Sequence, residues 1–313
     1  MSWPSQHLRL RLWNVPILLD CGLDELQPLM RAGFGDAAHA EAAGKALRGA
    51  IHPFDSKAAL ANVSAAARSA GSNDPPLDVF VDGDRLWLVD DAWGLCEVDL
   101  GRQAWQSWML PGAARDPGAC LARGVMMPLA CLLARRGLAL VPAAAVARGS
   151  QASLILAPFP IHYELEELLR AGFRLIASDW TLLRTAGDGV EMLRVGSITS
   201  RDLSAEYCGT SQQRAMLDTV LIIDPARRGT SRVATLSAGD AAAYIRRSLP
   251  LPELPTLPAL AQLPARLARS AAAYRVQLAL NPRDLRDLLL TVMQGSTSKL
   301  TLSVFTTSRA KVA

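Results

Sequence analysis

The sequence predicts an α/β protein, α+β overall, with an N-terminal antiparallel β region ahead of a mixed-sheet core. Three observations carry that expectation. Half of the 313 residues are hydrophobic, enough to bury a sizeable core. Residues 77–110 fall into alternating segments of strand length separated by turn residues. Residues 153–183 read as strand, loop, helix, strand, a βαβ unit that implies parallel pairing with a right-handed crossover.

Taken in order, Leu8, Leu10 and Leu12 alternate with Arg9 and Arg11, and Pro16-Ile-Leu-Leu follows, predicting two short strands. A helix is expected around 23–31. Residues 37–68 are rich in Ala, with Lys45 and Lys57 among scattered charges, and suit either a helix or a loose insertion. Gly71-Ser-Asn-Asp-Pro-Pro76 marks a break. It divides the chain into a small β/α region over 1–75, a core over 76–292 and a tail over 293–313.

Asp78-Val-Phe-Val leads through Asp82-Gly-Asp to Arg85-Leu-Trp-Leu-Val, a hairpin pattern, and residues 95–110 repeat it. This antiparallel meander carries Trp87, Trp93, Trp105 and Trp108, which serve either as sheet packing or as a partner-stacking surface. A helix near 121–135 feeds a strand over 138–147.

In the βαβ unit, Leu154-Ile-Leu is a buried-strand run. Leu165, Leu168 and Leu169 set one face of a helix over 163–170, with Glu164, Glu166 and Glu167 mostly off that face. Gly172 terminates it, and a second strand starts at Phe173. Downstream, Gly187-Asp-Gly is a turn and 190–195 a strand. Residues 202–217 are polar, and Val220-Leu-Ile-Ile-Asp224 is the clearest buried strand. A helix over 237–247 begins at Ser237 as cap, with Asp240 in its first turn. Prolines at 250, 252, 255 and 258 favour an extended strap, or a partner-binding segment. A helix from Pro264 to 273, a strand over 274–280 and a helix over 282–292 complete the core. An alternating 300–305 segment lies in the tail.

A net charge of +4 is mild for this length and its basic pairs are scattered, which gives no case for nucleic acid. The first residues lack the charge and hydropathy of a signal peptide. The most apolar region, 125–146, is broken by Arg135, Arg136, Pro128 and Pro142, so no membrane span is expected and the location expected is cytoplasmic. Five widely spaced cysteines form no CxxC pair and suit reduced, packed thiols. The four histidines are dispersed, and only His162 falls in a candidate loop.

The framing of residues 154–183, with Arg136-Gly-Leu-Ala-Leu-Val-Pro-Ala-Ala-Ala-Val upstream, resembles the HPr serine kinase family. Its kinase-like members from ribosomal-peptide modification operons are included in that resemblance. The likeness extends over about residues 75–290 and implies a mixed-sheet core like that of the HPr kinase C-terminal domain and PEP carboxykinase. The family carries a phosphate loop ending Gly-Lys-Ser/Thr and a strand ending Asp-Asp. Here the loop is Ala157-Pro158-Phe159-Pro160-Ile161-His162, with neither Gly nor Lys. Two prolines remove N–H donors from a loop that binds phosphate through converging amides. The paired aspartates align with Ser178, at the base position, and Asp179, at the metal position. The family's His aligns with Pro142, and Asp224-Pro225 matches a strand ending in an acidic residue and Pro.

The resemblance, stripped of that chemistry, implies a catalytically inactive pseudokinase that binds a peptide or protein partner. Ser178, Asp179 and Asp224 would be vestigial, and no cofactor is expected. The alternative is a divergent ATP-dependent serine or peptide kinase that uses ATP and Mg, with Asp179 on the metal and Arg side chains on phosphate.

Overall fold

The computed structural model describes residues 6–34, 46–55, 68–73, 77–110, 116–158, 161–195, 213–225, 231–249, 257–278 and 282–293. The chain is an α/β protein, α+β overall, built on three sheets among those residues.

The first sheet takes β1 (Gln6–Leu12), β2 (Val15–Cys21), β3 (Leu47–Pro53), β4 (Arg68–Asn73), β5 (Leu77–Asp82), β6 (Arg85–Asp90), β7 (Gly94–Asp99) and β8 (Ala104–Met109). Their order is β1-β2-β3-β8-β7-β6-β5-β4. In β1 the leucines Leu8, Leu10 and Leu12 are buried while Arg9 and Arg11 face out, as their alternation requires. The hairpin and the meander are antiparallel, and β3 joins them through parallel pairings with both β2 and β8. Residues 47–53 are therefore a strand, not the helix or loose insertion that their Ala-rich surroundings suggested. The rest of that stretch lies largely outside the described residues. The break at Gly71 also starts later than its composition implied. Strand β4 continues to Asn73 and pairs with β5, so this sheet draws on both sides of it.

Helix α1 (Gln27–Phe34) follows a 3-10 turn and packs on β1. Helix α2 (Pro117–Leu121) starts with Asp116 accepting from the Ala119 N–H at 3.1 Å. It passes through a π turn at Ala122–Met126 into α3 (Met127–Ala134), every residue of which is buried. The Gly124 carbonyl in the π turn accepts from Trp105 Nε1 at 3.2 Å and Ser107 Oγ at 2.7 Å, which fixes this helix on the first sheet.

The second sheet contains β10 (Ala144–Arg148), β11 (Gln151–Leu156), β12 (Arg174–Ala177), β16 (Thr219–Pro225), β17 (Arg232–Thr235) and β18 (Ala272–Leu278), in the order β12-β10-β11-β16-β18-β17. The third contains β9 (Leu138–Val141), β13 (Thr181–Ala186), β14 (Gly189–Leu193) and β15 (Arg214–Met216), all antiparallel. The expected 138–147 strand is thus two strands in different sheets, and so is the one begun at Phe173. Thr181 Oγ1 donates to the Ala143 carbonyl at 2.7 Å, tying the two crossings together.

Strands β11, β16 and β18 are parallel neighbours. β11 and β12 run in the same direction but do not pair, because β10 lies between them, antiparallel to both. The expected direct parallel pairing is corrected accordingly. On one face, Ile155, Leu221, Ile223 and Val276 pack with Leu165, Leu168 and Leu169 of α4 (His162–Arg170) and Leu285 and Leu289 of α7 (Pro282–Met293). On the other, Leu154, Leu156, Val220 and Ile222 join the main core with α5 (Ala238–Ser248) and α6 (Pro258–Ser270). Burial on both faces explains why β11 and β16 read as unbroken apolar runs. Helix α6 starts at Pro258 rather than Pro264, which lies inside it. Leu260, Leu263 and Leu267 form its buried stripe and hold the turn before Pro264 in the helix. The proline strap over 250–256, residues 201–212 and the tail from 294 fall outside the described residues. No helix among the described residues is long and apolar enough to cross a membrane.

Candidate functional site

Strand β11 turns outward through α4 toward β12, while β16 leads the other way toward β18. The chain therefore diverges at the C-terminal ends of two adjacent parallel strands, the place where open α/β sheets bind ligands. Leu156, the last residue of β11, is level with Ile222, so Asp224 stands two residues beyond it on β16. Ser178 and Asp179 follow β12 at the same end of the sheet. The structure thus brings the loop, Ser178, Asp179 and Asp224 to one edge.

The loop leaves β11 with Ala157 half-buried and Pro158 exposed; Phe159 and Pro160 lie outside the described residues. Ile161 is buried against the α4 leucines, so it belongs to the core. His162 opens α4, and its Nδ1 is buried without a hydrogen-bond partner among the described residues. Ile161, as N-cap, supplies no side-chain acceptor, and Glu164 puts a carboxylate in the first turn. A carboxylate in the first turn favours the positive end of the helix dipole and disfavours a second anion there.

Ser178 is 7 % exposed and donates its hydroxyl to Asp179 Oδ2 at 2.8 Å. Asp224 accepts from Arg275 Nε at 2.6 Å across the β16–β18 pairing. This hydrogen bond raises the Arg275 guanidinium above its ordinary pKa, and Arg275 also lies over the Tyr244 ring, 5.1 Å from its centroid. No group of three or more His, Cys, Asp or Glu among the described residues is arranged to hold a metal ion. Arg275 and Tyr244 were not singled out by the sequence. The alternation Tyr274-Arg-Val-Gln-Leu gave the strand of Arg275, but nothing local shows that Arg275 meets a carboxylate 51 positions away or that Tyr244 of α5 lies under it.

The four meander tryptophans are all buried, at 0 % for Trp87, 5 % for Trp93, 2 % for Trp105 and 3 % for Trp108. Trp87 and Trp108 pack with Leu95 in a cluster of their own, while Trp93 and Trp105 join the main core. None presents a ring on which a partner could stack.

No family model matches the chain, and no curated protein matches it. Among solved structures, the HPr(Ser) kinase/phosphatase from Coxiella burnetii aligns over 51% of this chain and 97% of its own, with 9% identity and a TM-score of 0.32. A likeness that low establishes no kinship.

Proposed function

We propose that this chain is a catalytically inactive, HPr-kinase-like binding or scaffolding subunit whose partner is a peptide or protein, acting in peptide modification. The observation that carries this reading is the Ser178–Asp179 contact. The residue at the base position is a hydroxyl, and it directs its proton at the carboxylate a kinase would give to metal. A general base must accept the substrate proton, which a neutral serine does not do usefully near neutral pH. Two further features support it. Asp224 is engaged by Arg275, and Pro158 and Glu164 flank the loop where phosphate would bind. Nothing in this reading removes a polypeptide-recognition surface.

Calorimetric titration with Mg-ATP, with thermal shift on wild type and Asp179→Ala, tests it. The expected result is no heat and no stabilisation in either protein. Saturable binding that Asp179→Ala abolishes would overturn the reading in favour of a divergent ATP-dependent kinase.

A further inference from the structure

At the same edge the sheet carries cations that its carboxylates do not match. The register sets Asp224, Gln277 and Arg232 in one cross-strand row, and Ile222, Arg275 and Ala234 in the row before it. Cross-strand partners project to the same face, so Arg232 and Arg275 share the face that holds Asp224. Helix α5 lies over it, and its Tyr244 meets the Arg275 guanidinium. One turn on, Arg247 places its own guanidinium 5.9 Å from the same ring centroid. Among the described residues, the one ion pair in this group is Asp224–Arg275. Arg232 and Arg247 are exposed, and among the described residues neither forms an ion pair with a carboxylate.

We propose that this face docks an acidic polypeptide segment, whose Asp or Glu carboxylates are taken by Arg232 and Arg247 around Tyr244. The inference rests on the binding-subunit reading above and names the chemistry of its partner. Arginine forks suit carboxylates, and a ring already stacked by guanidinium holds them in place without a side-chain tether. Arg275 is kept in position by Asp224 and supports the ring. A polypeptide is the occupant because Arg232 stands on β17, which among the described residues is an edge strand paired only with β18. An extended chain laid along β17 gains backbone hydrogen bonds that no nucleic acid can supply. Its alternate side chains would then fall on the face that bears Arg232.

Fluorescence anisotropy with a labelled peptide of alternating Glu and Val tests this, with a Gln/Val peptide and a single-stranded oligonucleotide as companions. Arg232→Glu and Arg247→Glu are each expected to weaken binding of the acidic peptide about tenfold. Raised salt should weaken it too, and the Gln/Val peptide should bind poorly. Arg246→Glu is the charge-matched control, because Arg246 is exposed on α5 away from Tyr244 and should change little. Far-UV circular dichroism confirms that each variant keeps its fold. Equal binding by wild type and Arg247→Glu, an equal loss in Arg246→Glu, or tighter binding of the oligonucleotide would each overturn the proposal. The two readings fail separately. Asp179-dependent Mg-ATP binding sinks the binding-subunit reading, whereas loss of the acidic-peptide result with no nucleotide bound sinks only this inference.

Discussion

A Cβ built on Gly49 would lie 2.2–2.4 Å from three carbons of the Trp105 ring, so the absence of a side chain on β3 is what seats that tryptophan. Gly49→Ala should therefore destabilise by about 1–3 kcal/mol through overpacking, read from urea denaturation. Gly83→Ala is the comparison. Its site has positive φ but nothing within 4 Å, and only the backbone cost of about 1–2 kcal/mol is expected there. If Gly83→Ala proves the more damaging, the ring contact is not what Gly49 serves. The cysteines make a second prediction at this scale. Burial pushes the Cys96 thiol up to about 12 and raises that of Cys131, and Cys21 and Cys120 are equally enclosed. A thiol reagent should leave these four untouched in native buffer and label them on unfolding. Fast native labelling of any of them would contradict this packing.

Strand β3 contributes to the pH behaviour of the first sheet through His52, whose ring lies 6.1 Å from that of Trp108. Burial lowers the His52 pKa below 6.5, with Asp20 opposing the shift. The unfolded chain thus takes up the proton first, so this contribution to stability is complete above pH 6.5 and is lost as pH falls toward the folded value. Glu97 runs the other way. Burial raises its pKa above 4.5, so stability is recovered as pH falls through that raised value toward 4.5. His52→Gln should flatten the fall just below pH 6.5 in a series of denaturation curves and leave the Glu97 limb in place. An unchanged curve would show that His52 titrates alike in both states. The same strand shows where sequence was hard to read. Leu47, Gly49 and Ile51 point inward, but the middle position is vacated for a ring from β8, so the apolar alternation is interrupted. By contrast, β1, the meander, α4, β16 and α7 were plain, because each carries its whole apolar signal, periodic or unbroken, within itself.

Across the whole molecule, local patterns gave most of the elements but not their neighbours, and they missed β3 and merged β9 with β10. Nothing in residues 153–183 says that β10 inserts between β11 and β12, since that strand precedes both. Ser178, Asp179 and Asp224 were singled out one by one through a family resemblance, whereas their shared end of the sheet, like Arg275 and Tyr244, became visible only when the strands and α5 were set side by side. The first sheet also links distant parts of the chain. β8 is covered on one side by β3, and Trp105 packs into the gap at Gly49. A chain beginning at residue 76 should therefore expose the β8 edge and lose its cooperative thermal transition. A sharp unfolding transition in that truncated protein would show that β1–β3 are dispensable.

The parallel seat of β3 has one more consequence, for the newborn chain. Ile51 has no partner on one side until Ser107 has been made, and the two must then meet across everything synthesised in between. The β1–β2 hairpin can close as soon as it leaves the ribosome, but the open flank of β3 waits. During that interval Leu47 and Ile51 are exposed to any chaperone, or to any sister chain, that reaches them first.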